Sequence, residues 1–277
     1  MSLLSKLMFW RTDAPRVSVL RLSGVIASGG SPLRKNLNYD SLEPVIKKAF
    51  LDKKQSAVIL CINSPGGSPV QSALIGKRIR QLADKNKIPI IAFCEDVAAS
   101  GGYWLASCAD EIYADESSII GSIGVISAGF GFTEAISKLG IERRVYTSGE
   151  SKSVLDPFKK ESPKDVARLR GLQNDIHEHF IEHVKSRRGK KLNEEEPLFT
   201  GLFWTGKKAE KLGLIDGIGA MQDVLTEKFG DDVKIKQITQ KKGLFSVAGS
   251  SSRLGAAISY ELIEHLEHRH LWARFGL

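Results

Sequence analysis

Cysteine is scarce: the 277 residues hold three, Cys61, Cys94 and Cys108, an odd number with no C-x-x-C pair. That count excludes a disulfide-stapled scaffold and a zinc ribbon, and since two of the three fall inside apolar runs, packing is the role expected of them. A long uninterrupted apolar run is missing too. The apolar residues among the first eleven form a stretch too short to span a bilayer or to act as a signal peptide. The expectation is a cytoplasmic or peripherally membrane-associated chain without a transmembrane segment. Acidic residues are outnumbered, 32 against 40 basic ones, which leaves a formal charge of +8. The surplus permits an anionic surface as partner. The basic residues lie in short scattered clusters without interleaved aromatics, so no nucleic-acid partner is expected.

What is present is an ordinary globular composition, 42% hydrophobic and 26% charged, in a chain long enough to bury a sizeable core. Strand-like and helical patterns alternate, which predicts an α/β layered domain. Strands are expected at 17–22, 57–62, 88–94, 111–114, 124–126, 143–147 and 233–239, and helices at 41–50, 70–83, 133–139, from 163 onward and at 206–212. In the long helix Leu169, Leu172, Ile176, Phe180 and Val184 recur at helical spacing. Residues 1–16 read as an extension and 17–240 as the domain. Residues 241–277 read as a Gly/Ser-rich linker followed by an amphipathic helix striped by Leu254, Ile258, Leu262 and Leu266. That helix, with Trp272 and Phe275 beyond it, suits docking on the core or on a neighbouring subunit, or resting on lipid.

One serine stands out. Ser100, in Ala-Ala-Ser-Gly-Gly-Tyr-Trp, follows a strand-like run and opens an Ala-rich helical one, so it falls where unpaired backbone N–H groups favour negative charge. Serine is also a preferred helix N-cap, and both readings stand on this segment alone. Further along, Ser148-Gly-Glu-Ser-Lys152 supplies a lysine, Asn63-Ser-Pro-Gly-Gly67 follows an apolar strand, and Gly121-Ser122-Ile-Gly-Val lies between them.

These four motifs, in this order, resemble those of the signal peptide peptidase A family of serine peptidases, and the resemblance runs from about residue 18 to 239. It implies a Clp-protease/crotonase-like fold with repeated ββα units, a Ser100 nucleophile and a Lys152 general base. It further implies an oxyanion hole from the N–H groups of Gly67 and Gly101, with Ser122 hydrogen-bonded to the lysine. Peptide or signal-peptide-like substrates with small or apolar residues at the scissile bond, and a ring-shaped homo-oligomer, are also implied. No cofactor or metal is expected. The chemistry has a physical requirement: a lysine with an ordinary pKa of about 10.4 is no base at neutral pH, so Lys152 needs an apolar setting with Glu150 and Asp156 turned away. A crotonase-like acyl-CoA enzyme and a non-catalytic membrane-associated scaffold share the fold and are the alternatives.

Two patterns compete for attention. His179-Phe-Ile-Glu-His183 fits H-x-x-E-H, but the histidines have no clear third ligand and read as a solvated helix flank. Gly201 to Lys208 matches a phosphate-binding loop in all but its last residue, where Lys208 replaces the metal-liganding Ser/Thr, and Leu202-Phe203-Trp204 is too bulky for a phosphate cradle.

Overall fold

The computed structural model describes residues 14–29, 36–149, 151–193, 196–239 and 269–277. The linker, the Leu254–Leu266 stripe and Glu150 lie outside them. Among the described residues eight strands form a single sheet. Its centre is parallel: β1 (Arg16–Ser23), β2 (Ala57–Ser64) and β3 (Ile90–Ala99) lie side by side, with β8 (Lys234–Ile238) parallel to β1 on the outer edge. Val58, Leu60 and Ile62 of β2 face one side and Ala57, Ile59 and Cys61 the other, all buried. A strand buried on both faces must be apolar throughout, which is why this segment shows no polar alternation.

Helix α1 (Tyr39–Ala49) and α2 (Pro69–Asn86) cover the first face, burying Leu42, Val45, Ile46, Ile75 and Ile79. Asn38 caps α1 by accepting from the Ser41 N–H at 2.9 Å, and Ser68 followed by Pro69 opens α2. The short α3 (Gly101–Ser107) joins them on this face, with Tyr103 and Leu105 fully buried. On the second face α7 (Met221–Phe229), which the sequence pattern did not suggest, packs Val224 and Leu225 against Val19, Ile59 and Phe93.

Strand β3 divides its pairing. Its first half pairs with β4 (Glu111–Ala114), and its last three residues, 97–99, pair with β5 (Ile119–Gly121). Strand β5 is paired on its other side, antiparallel, with β6 (Phe203–Thr205), and β7 (Gly217–Ile218) extends β4. Two expected strands are corrected here. The strand placed at 124–126 is instead β5, because Ser122 turns the chain out of the sheet at φ +53. Residues 143–147 form no strand: no neighbouring strand offers them backbone partners, and Tyr146 is exposed.

Helix α5 (Pro163–Arg188) starts at the expected Ser162-Pro163, although the Ser162 side chain makes no capping bond. Only the second half of its apolar stripe is covered: Phe180 and Val184 are buried, whereas Leu172 and Ile176 are exposed. Arg188, buried at its end, donates to the Gly213 carbonyl and pairs with Asp216 at 2.7 Å. The span 126–149, with α4 (Thr133–Lys138), buries no side chain and exposes Ile126, Phe130, Leu139, Ile141 and Tyr146. Among the described residues no helix is long and apolar enough to cross a membrane.

The phosphate-loop pattern is not a loop. Residues 203–205 are strand and Gly206 opens α6 (Gly206–Lys211), capped by Thr205; a side chain at Gly206 would strike the Asp115 carbonyl. All three cysteines are buried thiols, and burial pushes Cys94 and Cys108 up to about 12.

Candidate active site

Strand β3 runs without a loop into Ser100, which takes φ +52 and ψ −122, and α3 begins at the next residue. A non-glycine residue in this region costs about 1–3 kcal/mol and persists only where its surroundings impose it. The Ser100 N–H is tied to the Gly121 carbonyl of β5 at 2.8 Å, and its own carbonyl accepts from Trp104 at 2.9 Å. The Ser100 side chain makes no capping hydrogen bond. The N-cap reading therefore falls away, and the hydroxyl is left at a sharp strand-to-helix turn, facing a cleft.

The glycines around it are fixed by contact. A β-carbon on Gly101 would lie 2.4 Å from Ser72 Oγ, and one on Gly102 would lie 2.5 Å from the Ser64 carbonyl. These two residues let α3 sit directly on β2 and α2. Gly66, at φ +97, meets the same turn from the other side: its β-carbon would fall 2.7 Å from both the Gly101 nitrogen and Ser100 Cβ.

Gly67 bridges to Ile26. The Gly66 carbonyl accepts from the Ile26 N–H at 2.9 Å and the Ser68 N–H donates to the Ile26 carbonyl at 2.7 Å, so the Gly67 N–H between them points the opposite way. Gly67 lines the cleft with Ser100. The Gly101 N–H is at the first position of α3, where a helix offers no internal acceptor. Among the described residues neither N–H has an acceptor, so two donors flank one hydroxyl.

The cleft has a volume of about 450 Å³ and is also lined by Ser122, Gly124, Val125, His177 and Arg274. Ser122 is buried at φ +53, its N–H held by the Leu202 carbonyl at 2.7 Å. His177 Nε2 lies 3.1 Å from the Ile123 carbonyl, which also accepts from the Gly201 N–H at 3.0 Å. Neither His177 nor Arg274 was expected from the sequence, because each arrives from an element remote from the four motifs.

Of the five expected site residues, Ser100, Gly67, Gly101 and Ser122 come together. Lys152 does not. It is exposed in a turn over 151–155, its N–H donates to the Gly149 carbonyl at 3.2 Å, and it does not line the Ser100 cleft. Asp156 is engaged elsewhere: the Phe158 N–H and then Arg143, 3.1 Å away, hold its carboxyl below the usual carboxylate range.

Behind the Ser100 turn, α3 is clamped at its far end. Tyr103 donates to the Leu214 carbonyl at 2.7 Å, and Arg187 donates to the carbonyls of Ser107, Cys108 and Ala109. His183 stacks flat on Trp104, ring centroids 4.3 Å apart, with Nε2 3.0 Å from Ser107 Oγ. Burial pushes its imidazole down to about 4. His179 and Glu182 of the H-x-x-E-H pattern are exposed, so His183 serves the packing of α5 on α3.

Comparison with known proteins follows this geometry. The profile of Peptidase family S49 matches residues 82–236. The chain is 48% identical over 97% of its length to the Na(+)/H(+) antiporter NhaA of Brucella abortus, of which it covers 38%. It is 30% identical to a protease of Synechocystis, covering 97% of this chain and 95% of that one, and 33% identical to Protease 4 of Haemophilus influenzae over 76% and 34%. The chain thus spans well under half the length of the Brucella and Haemophilus relatives. Among solved structures, the 1510-N membrane-bound stomatin-specific protease aligns with a TM-score of 0.51 at 20% identity, over 82% of this chain and 99% of that one, a likeness of fold.

Proposed function

Since the chain belongs to peptidase family S49, we propose that it is a serine endopeptidase of the signal peptide peptidase A type, with Ser100 as nucleophile and Lys152 as general base. Neutral Lys152 Nζ takes the proton from Ser100 Oγ as that oxygen attacks the peptide carbonyl. The tetrahedral oxyanion is received by the N–H groups of Gly67 and Gly101, each such donor typically worth about 10²–10³ in rate. The proton passes to the leaving amine, and water then hydrolyses the acyl-enzyme by the same relay. Ser122 orients the neutral amine without restoring its charge.

The observation that carries this reading is the Ser100 turn: a strained, uncapped hydroxyl that lines the cleft with Gly67, while Gly101 opens α3 directly after it. A structural serine has no need of that conformation. Lys152 enters through assembly. The span that leads to it exposes Phe130, Leu139, Ile141 and Tyr146, and apolar surface of this extent marks an interface. A closed homo-oligomer that covers the span brings Lys152 to a Ser100 and supplies the dry setting that lowers an amine's pKa. Substrates are peptides with small or apolar residues at the scissile bond, and peripheral membrane contact accords with the basic surface.

The test is hydrolysis of a mixed peptide library, with covalent labelling by a fluorophosphonate. Wild type should hydrolyse and label at Ser100; Ser100→Ala should do neither. Labelling at another residue, or turnover by Ser100→Ala, would overturn the assignment.

A further inference from the structure

Residues 269–277 are far in sequence from every motif of the site, yet they contribute Arg274 to the wall of its cleft. A helical turn over 269–273 ends in a tight turn in which the Phe275 N–H donates to the Trp272 carbonyl at 2.9 Å and Gly276, at φ +78, reverses the chain. Phe275 is buried against Val97 and Ala99 of β3, with Trp272 and Ile119 beside it. The Phe203 ring closes the niche edge-on, 5.1 Å from the Phe275 centroid at 74°. These aromatics therefore pack against the chain's own strands.

The niche is built from the residues that deliver the site. Ala99 precedes Ser100, Ile119 is two residues before the Gly121 carbonyl that holds the Ser100 N–H, and Phe203 follows the Leu202 carbonyl that holds Ser122. With Phe275 seated there, Arg274 forms part of the wall of the Ser100 cleft.

We propose that segment 269–277, anchored by Phe275 and Trp272 in the niche beside the cleft, holds Arg274 in the cleft wall and thereby competes with peptide substrates for access to Ser100. Its effect on turnover rests on the peptidase reading above; its binding does not. When a competent state is only fractionally populated, apparent affinity falls by that fraction, so a segment seated about nine-tenths of the time suppresses kcat/KM about tenfold.

The test uses full-length variants Phe275→Ala and Arg274→Ala, and a synthetic peptide of residues 270–277. Phe275→Ala, with unchanged far-ultraviolet circular dichroism, should raise kcat/KM towards small peptides by roughly three- to tenfold through a lower KM. Arg274→Ala should raise it less, because the aromatic anchor remains. The peptide added to Phe275→Ala should restore inhibition competitively. A fluorescein-labelled copy should bind full-length Ser100→Ala/Phe275→Ala by anisotropy and should bind more weakly when Phe203→Ala is added, a readout that requires no turnover. Binding without hydrolysis by any variant would refute the peptidase reading and leave the seating of the segment in place. Absence of peptide binding, or unchanged kcat/KM in a hydrolytically active Phe275→Ala, would overturn the proposal.

Discussion

Gly66→Ala is the substitution that most sharply links packing to catalysis. The added β-carbon would lie 2.7 Å from the Gly101 nitrogen, 2.7 Å from Ser100 Cβ and 2.8 Å from the Ala99 carbonyl, all on the Ser100 turn. The backbone there sits at φ +97, which costs an L-residue about 1–2 kcal/mol before any contact is counted. Overpacking adds about 1–3 kcal/mol, because the atoms struck belong mainly to the backbone and cannot rotate away. The fold should therefore lose about 2–5 kcal/mol, roughly 4–15 °C in Tm for a domain of this size. Relief of the clash moves the Gly101 N–H and Ser100 by several tenths of an ångström, so kcat/KM should fall by about 10²-fold or more, the worth of one misplaced oxyanion donor. The fall should be in kcat, measured at a temperature where circular dichroism shows the variant folded. Gly171→Ala is the control: it lies inside α5 with nothing within 4 Å of its added carbon, and should gain about 0.5–1 kcal/mol without kinetic effect. Near-normal turnover by Gly66→Ala would refute the geometry assigned to the turn.

The stability of the fold should depend on His183 below neutrality. Its folded pKa of about 4 lies below the ordinary 6.5, so the neutral ring's contribution is complete above pH 6.5 and is lost as pH falls towards 4; wild type should lose about 2–3 kcal/mol over that window relative to His183→Gln by urea unfolding. Ser122→Ala should lower the rate of hydrolysis while leaving Ser100 open to phosphonate labelling; an unaffected Ser122→Ala would count against its orienting role. Sedimentation should find a closed oligomer at micromolar concentration, dispersed by Tyr146→Glu or Phe130→Glu with loss of turnover, whereas a fully active monomer would contradict the assembly.

The centre of the sheet was legible because β2 is apolar on both faces, and α1 and α2 because they carry local caps. What was not legible depended on partners distant in sequence. Glu95 and Asp96 lie beyond the strand expected at 88–94, yet they continue β3, because Arg21 pairs with Glu95 at 2.6 Å and the Asn63 amide donates to Asp96 at 2.6 Å. Likewise Ile119–Gly121 is a strand only because 97–99 and 203–205 flank it. The 143–147 run has β-prone residues without such neighbours. At the site, Ser100, Gly67, Gly101 and Ser122 were found through local motifs whose glycines have steric reasons to be there. His177 and Arg274 carry no local signal, and where Lys152 acts depends on what covers an exposed span.

The central claim is that one hydroxyl and one amine act as a unit. The direct measurement is the rate of peptide hydrolysis by wild type, Ser100→Ala, Lys152→Ala and the double variant, each assembled and folded. Groups acting as a unit give non-additive losses, so both single variants should be inactive and the double no worse than either. More than a few per cent of wild-type turnover in either single variant would contradict the account.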